Sequence, residues 1–198
     1  IRDRPYTEKL LDILDRYNVK ATFFVTNGKP DYQNLIAQEA QRGHTVAIHS
    51  ASHDYAKIYQ SVDAYFADFD EMNSIITAQT GKAADLVRFP GGSSNTISKK
   101  YCYGIMSQLV CAVEERGFRY CDWNVSSGDA GGTTSTSQVV ANVIEGIKSN
   151  NVSVVLQHDI KNFSVDAVEQ IIQWGLSEGY TFLPMTSTTP MSHHGVNN

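Results

Sequence analysis

Two histidines four residues apart, His49 and His53, close the segment Gly43-His44-Thr45-Val46-Ala47-Ile48-His49-Ser50-Ala51-Ser52-His53. A short apolar run gives way there to a polar loop. If the run is a strand, both imidazoles leave its C-terminal end together and can share one metal ion. Neutral imidazole is the commonest protein ligand for zinc and its neighbours, and a catalytic site takes two or three such ligands plus an open position. Alone, an H-x-x-x-H pair is more often two surface or core histidines. Its company changes the weight: Arg88, then Asp122, Trp123 and Asp129, then His158 beside Asp159. A metal pair, an arginine, a carboxylate and a further histidine make hydrolytic machinery. Each has a plainer role as well: Arg88 in an ion pair, Asp129 in a turn, Trp123 in the core, His158 and Asp159 capping a loop. No G-x-S-x-G elbow exists, which argues against a serine esterase. Gly91-Gly92-Ser93-Ser94 lacks the lysine of a phosphate-cradling loop and does not open a predicted helix directly.

The elements that must position these groups alternate between helical and strand periods. Leu10, Leu11, Ile13, Leu14 and Tyr17 form a helical stripe, followed by the strand-like Ala21-Thr22-Phe23-Phe24-Val25. Asp31 is placed to cap a helix carrying Leu35, Ile36 and Ala40, which stops at Gly43 before strand Thr45–Ile48. Val62, Tyr65, Phe66, Phe69, Met72 and Ile76 mark a long amphipathic helix ending near Gly81, and strand Leu86–Phe89 is cut off by Pro90-Gly91-Gly92. A helix from Ile105 to Val113 precedes strand Arg119–Trp123. One from Val139 to Ile147 precedes Val152–Gln157, and one from Val165 to Leu176 precedes Tyr180–Leu183. Six helix–strand units without a linker predict a single α/β domain over residues 1–198, with a parallel sheet covered on both sides or a closed barrel. His49 and His53, Arg88, Asp122 to Asp129, and His158 then all sit at C-terminal strand ends, the rim where α/β barrels build their sites. The order opens on a helix, where an α/β chain normally opens on a strand, so a leading strand is expected upstream of Ile1.

Composition narrows the function classes. With 198 residues, 41% hydrophobic and 19% charged, the chain is ordinary globular material with length for a sizeable core. A net charge of −5 and the lack of any basic cluster argue against nucleic acid as partner. No stretch approaches the ~20 apolar residues of a membrane span, and no signal peptide is visible. Cys102, Cys111 and Cys121 lack metal-type spacing and read as buried free thiols.

These motifs resemble the polysaccharide deacetylase family, the NodB homology domain of carbohydrate esterase family 4, over essentially the whole chain. His49-Ser50-Ala51-Ser52-His53 resembles the family's H-[ST]-x-x-H metal motif, and Arg88-Phe89-Pro90-Gly91-Gly92 its R-x-P-x-G motif. Trp123 through Asp129 is similar to the fourth motif and Leu156-Gln157-His158 to the fifth, L-x-H. His193-His194-Gly195-Val196-Asn197-Asn198 looks like the natural tail of clostridial-type members. The resemblance implies a distorted (β/α)7 barrel, one strand more than the pattern supplies.

The resemblance also implies roles. A divalent ion, zinc first with cobalt or nickel as alternatives, would be held by His49, His53 and an aspartate. It would polarise the substrate carbonyl and bind the attacking water. Arg88 would orient the general-base aspartate, and the Gly91 N–H would help stabilise the oxyanion. His158 would protonate the leaving amine, with Asp129 keeping its imidazole oriented and cationic. Trp123 and Leu156 would meet substrate, Leu156 lining a pocket for the acetyl methyl. Two departures stand out. The T-F-D-D-G motif, whose aspartates are the family's base and third metal ligand, is absent from this sequence, leaving Asp54 and Asp159 as the nearest other carboxylates. The fourth motif ends Asp129-Ala130 rather than Asp-Trp, which removes an aromatic wall. The expected reaction is removal of N-acetyl groups from a β-1,4-linked amino sugar polymer, with peptidoglycan N-acetylglucosamine first. Chitin-type oligomers and acetylated xylan follow, and a barrel that binds glycans without turnover is the rival. The family context implies a secreted or cell-surface protein.

Overall fold

The computed structural model describes residues 4–197. In chain order the elements begin with α1 (Arg4–Arg16), β1 (Thr22–Thr26), α2 (Asn34–Gln41), β2 (Thr45–Ser50), α3 (Tyr55–Ile58) and α4 (Val62–Thr80). They continue with β3 (Leu86–Val87), α5 (Ile105–Glu115), β4 (Arg119–Tyr120), β5 (Val125–Ser126), α6 (Thr136–Lys148), β6 (Val155–Leu156) and α7 (Asn162–Ser177). They group into two compact units, one of residues 22–122 and 185–197, the other of 4–21 and 123–184. The class is α/β as expected, since every strand pair is parallel and a helix lies in the chain between the two members of each pair. No helix among the described residues is long and apolar enough to cross a membrane.

The larger unit carries a four-stranded sheet in the order β1-β2-β3-β4. Ala47 and Ile48 of β2 and Leu86 and Val87 of β3 are buried, as both faces of a parallel sheet require. The pairing continues past β3 and β4, since Arg88 N donates to Ile48 O and Cys121 N to Val87 O. Along α4, Tyr65, Phe66, Phe69, Met72 and Ile76 recur at helical spacing and are buried. Ser61 caps this helix by accepting from Ala64 N, and Gly81 ends it at φ +75°.

In the smaller unit β5 pairs with β6, and α6 and α7 bury Val139, Val143, Ile147, Ala167 and Ile171 together. A Cβ on Gly146 would lie 2.4 Å from Val125 Cγ1, so glycine there lets α6 sit directly on β5. Tyr17 and Arg16 of the α1 end both bond Glu169 of α7.

Four expectations need correction. Asp31 is not a cap: Pro30 starts a 3-10 turn, Pro30–Tyr32, that contains it, and Gln33 precedes α2. Tyr180–Leu183 is not a strand, because Tyr180 N bonds back to Gly175 O and Leu183 is exposed. Val125–Ser126, read as loop, is a strand, while β3, β4 and β6 are only two residues long. Of the three thiols only Cys121 is buried; Cys111 is exposed.

Candidate active site

His49 lies on β2 and His53 in the loop that follows. The ring centroids are 5.1 Å apart. His49 Nδ1 sits 2.7 Å from Arg88 O; a carbonyl only accepts, so Nδ1 carries the proton and Nε2 the lone pair, the tautomer a metal ligand needs. His53 has φ +53°, a left-handed backbone uncommon for a non-glycine residue. What holds it there is Asp68, buried at 2% exposure on α4. Its carboxylate accepts from Ser50 Oγ at 2.6 Å, Ala51 N at 2.8 Å and Ser52 N at 2.8 Å. Ser50 Oγ in turn accepts from His53 N at 2.8 Å. Burial pushes the Asp68 pKa up, but the hydrogen bonds from Ser50, Ser52 and Ala51 outweigh it and leave it below the ordinary value.

The donor chemistry of this loop fits a divalent ion. Two imidazoles face one region and one has its tautomer set. No group of three His, Cys, Asp or Glu among the described residues forms a complete metal site. The nearby carboxylates have other work. Asp54 caps α3 by accepting from Ala56 N, and Asp159 accepts from Thr7 Oγ1.

Arg88 is buried. Its Nε donates to Cys121 O at 2.9 Å and its Nη2 to Asp122 O at 2.8 Å, while the guanidinium lies 4.2 Å over the Phe24 ring. Burial lowers its pKa from the ordinary value. The main chain then turns through Gly91 at φ +78° and Gly92 at φ +77°. A Cβ at Gly91 would meet Tyr55 Oη at 2.7 Å, so this position is closed to side chains on two grounds. Gly91 is exposed, and its N–H makes no hydrogen bond among the described residues. The turn is anchored on both sides. Tyr59 Oη donates to Pro90 O at 2.6 Å, and buried Asp122 accepts from Ser93 N at 2.8 Å and Ser93 Oγ at 2.5 Å. Asp122 also accepts from His194 N at 2.9 Å, so the C-terminal tail joins this anchor.

In the smaller unit, β5 leads to Asp129 and β6 to His158. His158 Nδ1 and Asp129 Oδ1 are 2.7 Å apart; Oδ2 accepts from His158 N at 2.7 Å and from Ser164 Oγ at 2.6 Å. Lys161 Nζ donates to the Asp129 carbonyl. Burial works against the charged carboxylate, but the bonds from His158 and Ser164 and the His158 charge hold its pKa at about 2. An ionised carboxylate accepts only, so Nδ1 of His158 donates to it. The imidazole itself is 36% exposed while its carboxylate is 1% exposed, the layout of a proton donor oriented from behind. Leu156 ends β6 and Trp123 precedes β5, both half-buried.

Sequence reasoning singled out His49, His53, Arg88, Gly91, Asp129 and His158 but passed over Asp68 and Ser164. Asp68 had a readable signal: it is a carboxylate on the apolar stripe of α4, between Tyr65 and Met72. Ser164 had none.

The family model for polysaccharide deacetylase matches residues 2–103. This chain belongs to the polysaccharide deacetylase family. Among solved structures, the catalytic domain of a peptidoglycan N-acetylglucosamine deacetylase from Eubacterium rectale is similar at 71% identity and TM-score 0.96, over 98% of this chain and 88% of that one. A polysaccharide deacetylase from Bacillus cereus is similar at 31% identity and TM-score 0.80, over 97% of this chain and 90% of that one. A peptidoglycan-N-acetylglucosamine deacetylase from Bacillus cereus is 31% identical over 183 residues, 89% of this chain and 63% of that protein. The deacetylase chain thus spans less than two thirds of that curated relative. Its α/β fold is the NodB-type fold of these structures.

Proposed function

We propose that this polysaccharide deacetylase removes the N-acetyl group from N-acetylglucosamine in peptidoglycan by hydrolysis, acting at the cell wall. The observation that carries the reading is the likeness to the Eubacterium rectale catalytic domain, 71% identical over 98% of the chain. The chemistry of the two residue sets supports it. His49 and His53 would hold a divalent metal, zinc first and cobalt or nickel as alternatives. A bound ion of this kind supplies Lewis acidity toward the amide carbonyl and makes water more acidic.

The protein's own groups do the rest. The Arg88 carbonyl sets the His49 imidazole, and Asp68, through Ser50 and the loop N–H groups, fixes the backbone that carries His53. The Gly91 N–H, on an exposed residue and without a hydrogen-bond partner among the described residues, is available as a donor for the oxyanion of the tetrahedral intermediate. Breaking the C–N bond needs a proton on nitrogen, because an unprotonated amine is a poor leaving group. His158 delivers it, with Asp129 opposite Nδ1 keeping the imidazole oriented and its charge compensated. Leu156 offers an apolar surface to the acetyl methyl, and Trp123 a face for the sugar. Arg88 ties the end of β3 to the Cys121 and Asp122 carbonyls that follow β4 and, in the family pattern, orients the general-base aspartate of T-F-D-D-G.

The test is acetate release from purified peptidoglycan, chitin oligomers and acetylated xylan by the natural protein with graded metal. Metal-dependent release, fastest from peptidoglycan, is expected. Faster release from either other polymer would overturn the substrate assignment, and binding to glycan without release would overturn the activity.

A further inference from the structure

Seven large hydrophobic side chains are exposed among the described residues, and three of them, Ile97, Tyr101 and Tyr103, fall within seven residues that follow the Gly91 turn. Tyr103 is 80% exposed. Between them stand Lys99 and Lys100, both exposed and neither in an ion pair among the described residues. Lys9, Lys20 and Lys57 each face a carboxylate, whereas Lys99 and Lys100 stand side by side with none among the described residues.

The backbone under these side chains is firmly built. Ser98 is fully buried, and its N–H donates to Asn95 Oδ1 at 3.0 Å. Asn95 Nδ2 donates to Gly92 O at 2.9 Å, so one side chain ties this loop to the Gly91-Gly92 turn. Tyr101 N and Cys102 N both bond Ser98 O. An exposed aromatic pair on an ordered loop has its backbone ordering cost met before any ligand arrives, which favours binding.

We infer that Tyr101 and Tyr103, with Lys99 and Lys100, form a docking platform for a glycan strand bearing carboxylates. The inference rests on the peptidoglycan reading and names how that polymer would be told from neutral ones. Tyrosine rings offer flat apolar faces to sugar rings at low entropic cost. Two unpaired lysines on a chain of net charge −5 complement the peptide carboxylates of peptidoglycan and gain nothing from uncharged chitin.

The experiment is cosedimentation of the 198-residue chain with purified peptidoglycan sacculi and with chitin, at low and raised salt. The wild-type chain binds sacculi more tightly than chitin, and salt weakens the preference. Tyr101→Ala with Tyr103→Ala lowers affinity for sacculi by about 10-fold or more. Lys99→Glu with Lys100→Glu abolishes the preference for sacculi over chitin. Thermal unfolding of both variants matches wild type, because the replaced side chains are exposed. Unchanged binding by the variants overturns the platform alone, as does a change in oligomeric state without loss of glycan affinity. A wild-type chain that binds neither polymer overturns the glycan reading itself.

Discussion

Replacing Asp129 with asparagine keeps the shape of the side chain and removes its charge. The carboxylate has a pKa of about 2 in the folded protein against an ordinary 3.8, because burial, which raises it, is outweighed by the bonds from His158 and Ser164 and by the His158 charge. A depressed folded-state pKa adds stability that is fully present above the unfolded value and is lost as pH falls through the folded one. A gap of about 1.8 units at about 1.4 kcal/mol each gives about 2.5 kcal/mol at pH 7. The same linkage leaves about 1.3 kcal/mol at pH 3, since the unfolded chain is by then mostly protonated. Chemical denaturation of wild type and Asp129→Asn at pH 7 and pH 3 measures both. The variant is expected to be less stable by about 2 kcal/mol at pH 7, with the deficit roughly halved at pH 3. Turnover should also fall, because an amide nitrogen opposite His158 Nδ1 cannot accept its proton. A deficit of equal size at both pH values would refute the ionic hydrogen-bond reasoning, and no deficit at pH 7 would refute the burial of the charge.

Asp68→Ala leaves three loop donors without their acceptor, so zinc affinity measured by calorimetry should drop by roughly 10- to 100-fold, more than Lys57→Ala lowers it. Equal affinity would mean the His53 backbone holds its left-handed conformation unaided. Gly91→Ala pushes a methyl toward Tyr55 Oη at a positive φ, and turnover should fall by about 10-fold or more, with partial recovery in combination with Tyr55→Phe. Recovery to wild-type rates in the pair would show that the clash, and not the backbone conformation, was the whole cost.

Where a segment's pattern is settled by its own neighbours, the sequence was legible. α4 runs from a serine cap through an apolar stripe to a left-handed glycine, all visible as residue types. β1 and β2 are apolar runs long enough to pair over several residues. Tyr180–Leu183 has the same alternation, yet Phe182 turns onto Gly175 and the backbone bonds return to α7, which no local pattern encodes. β5 was hidden because only two residues pair and polar ones surround them. The site divides the same way. His49, His53 and His158 were legible because motif spacing puts them at strand ends. Asp122 was legible as a strand-end carboxylate, but its actual task, holding Ser93 and the tail residue His194, depends on contacts across 29 and 72 positions. The free thiols illustrate the limit from the other side: composition favours burial, and Cys111 faces solvent because it sits on the outer side of α5.

Acetate release from purified peptidoglycan, measured for the natural protein and for His158→Ala with metal content followed in parallel, tests the catalytic assignment most directly. Release should depend on added divalent metal and stop with a chelator. His158→Ala should lower it by roughly 10²- to 10⁴-fold while retaining the same metal per chain, if the imidazole delivers a proton and holds no ion as proposed. Release that persists without metal, or a His158→Ala variant that turns over at the wild-type rate, would contradict it.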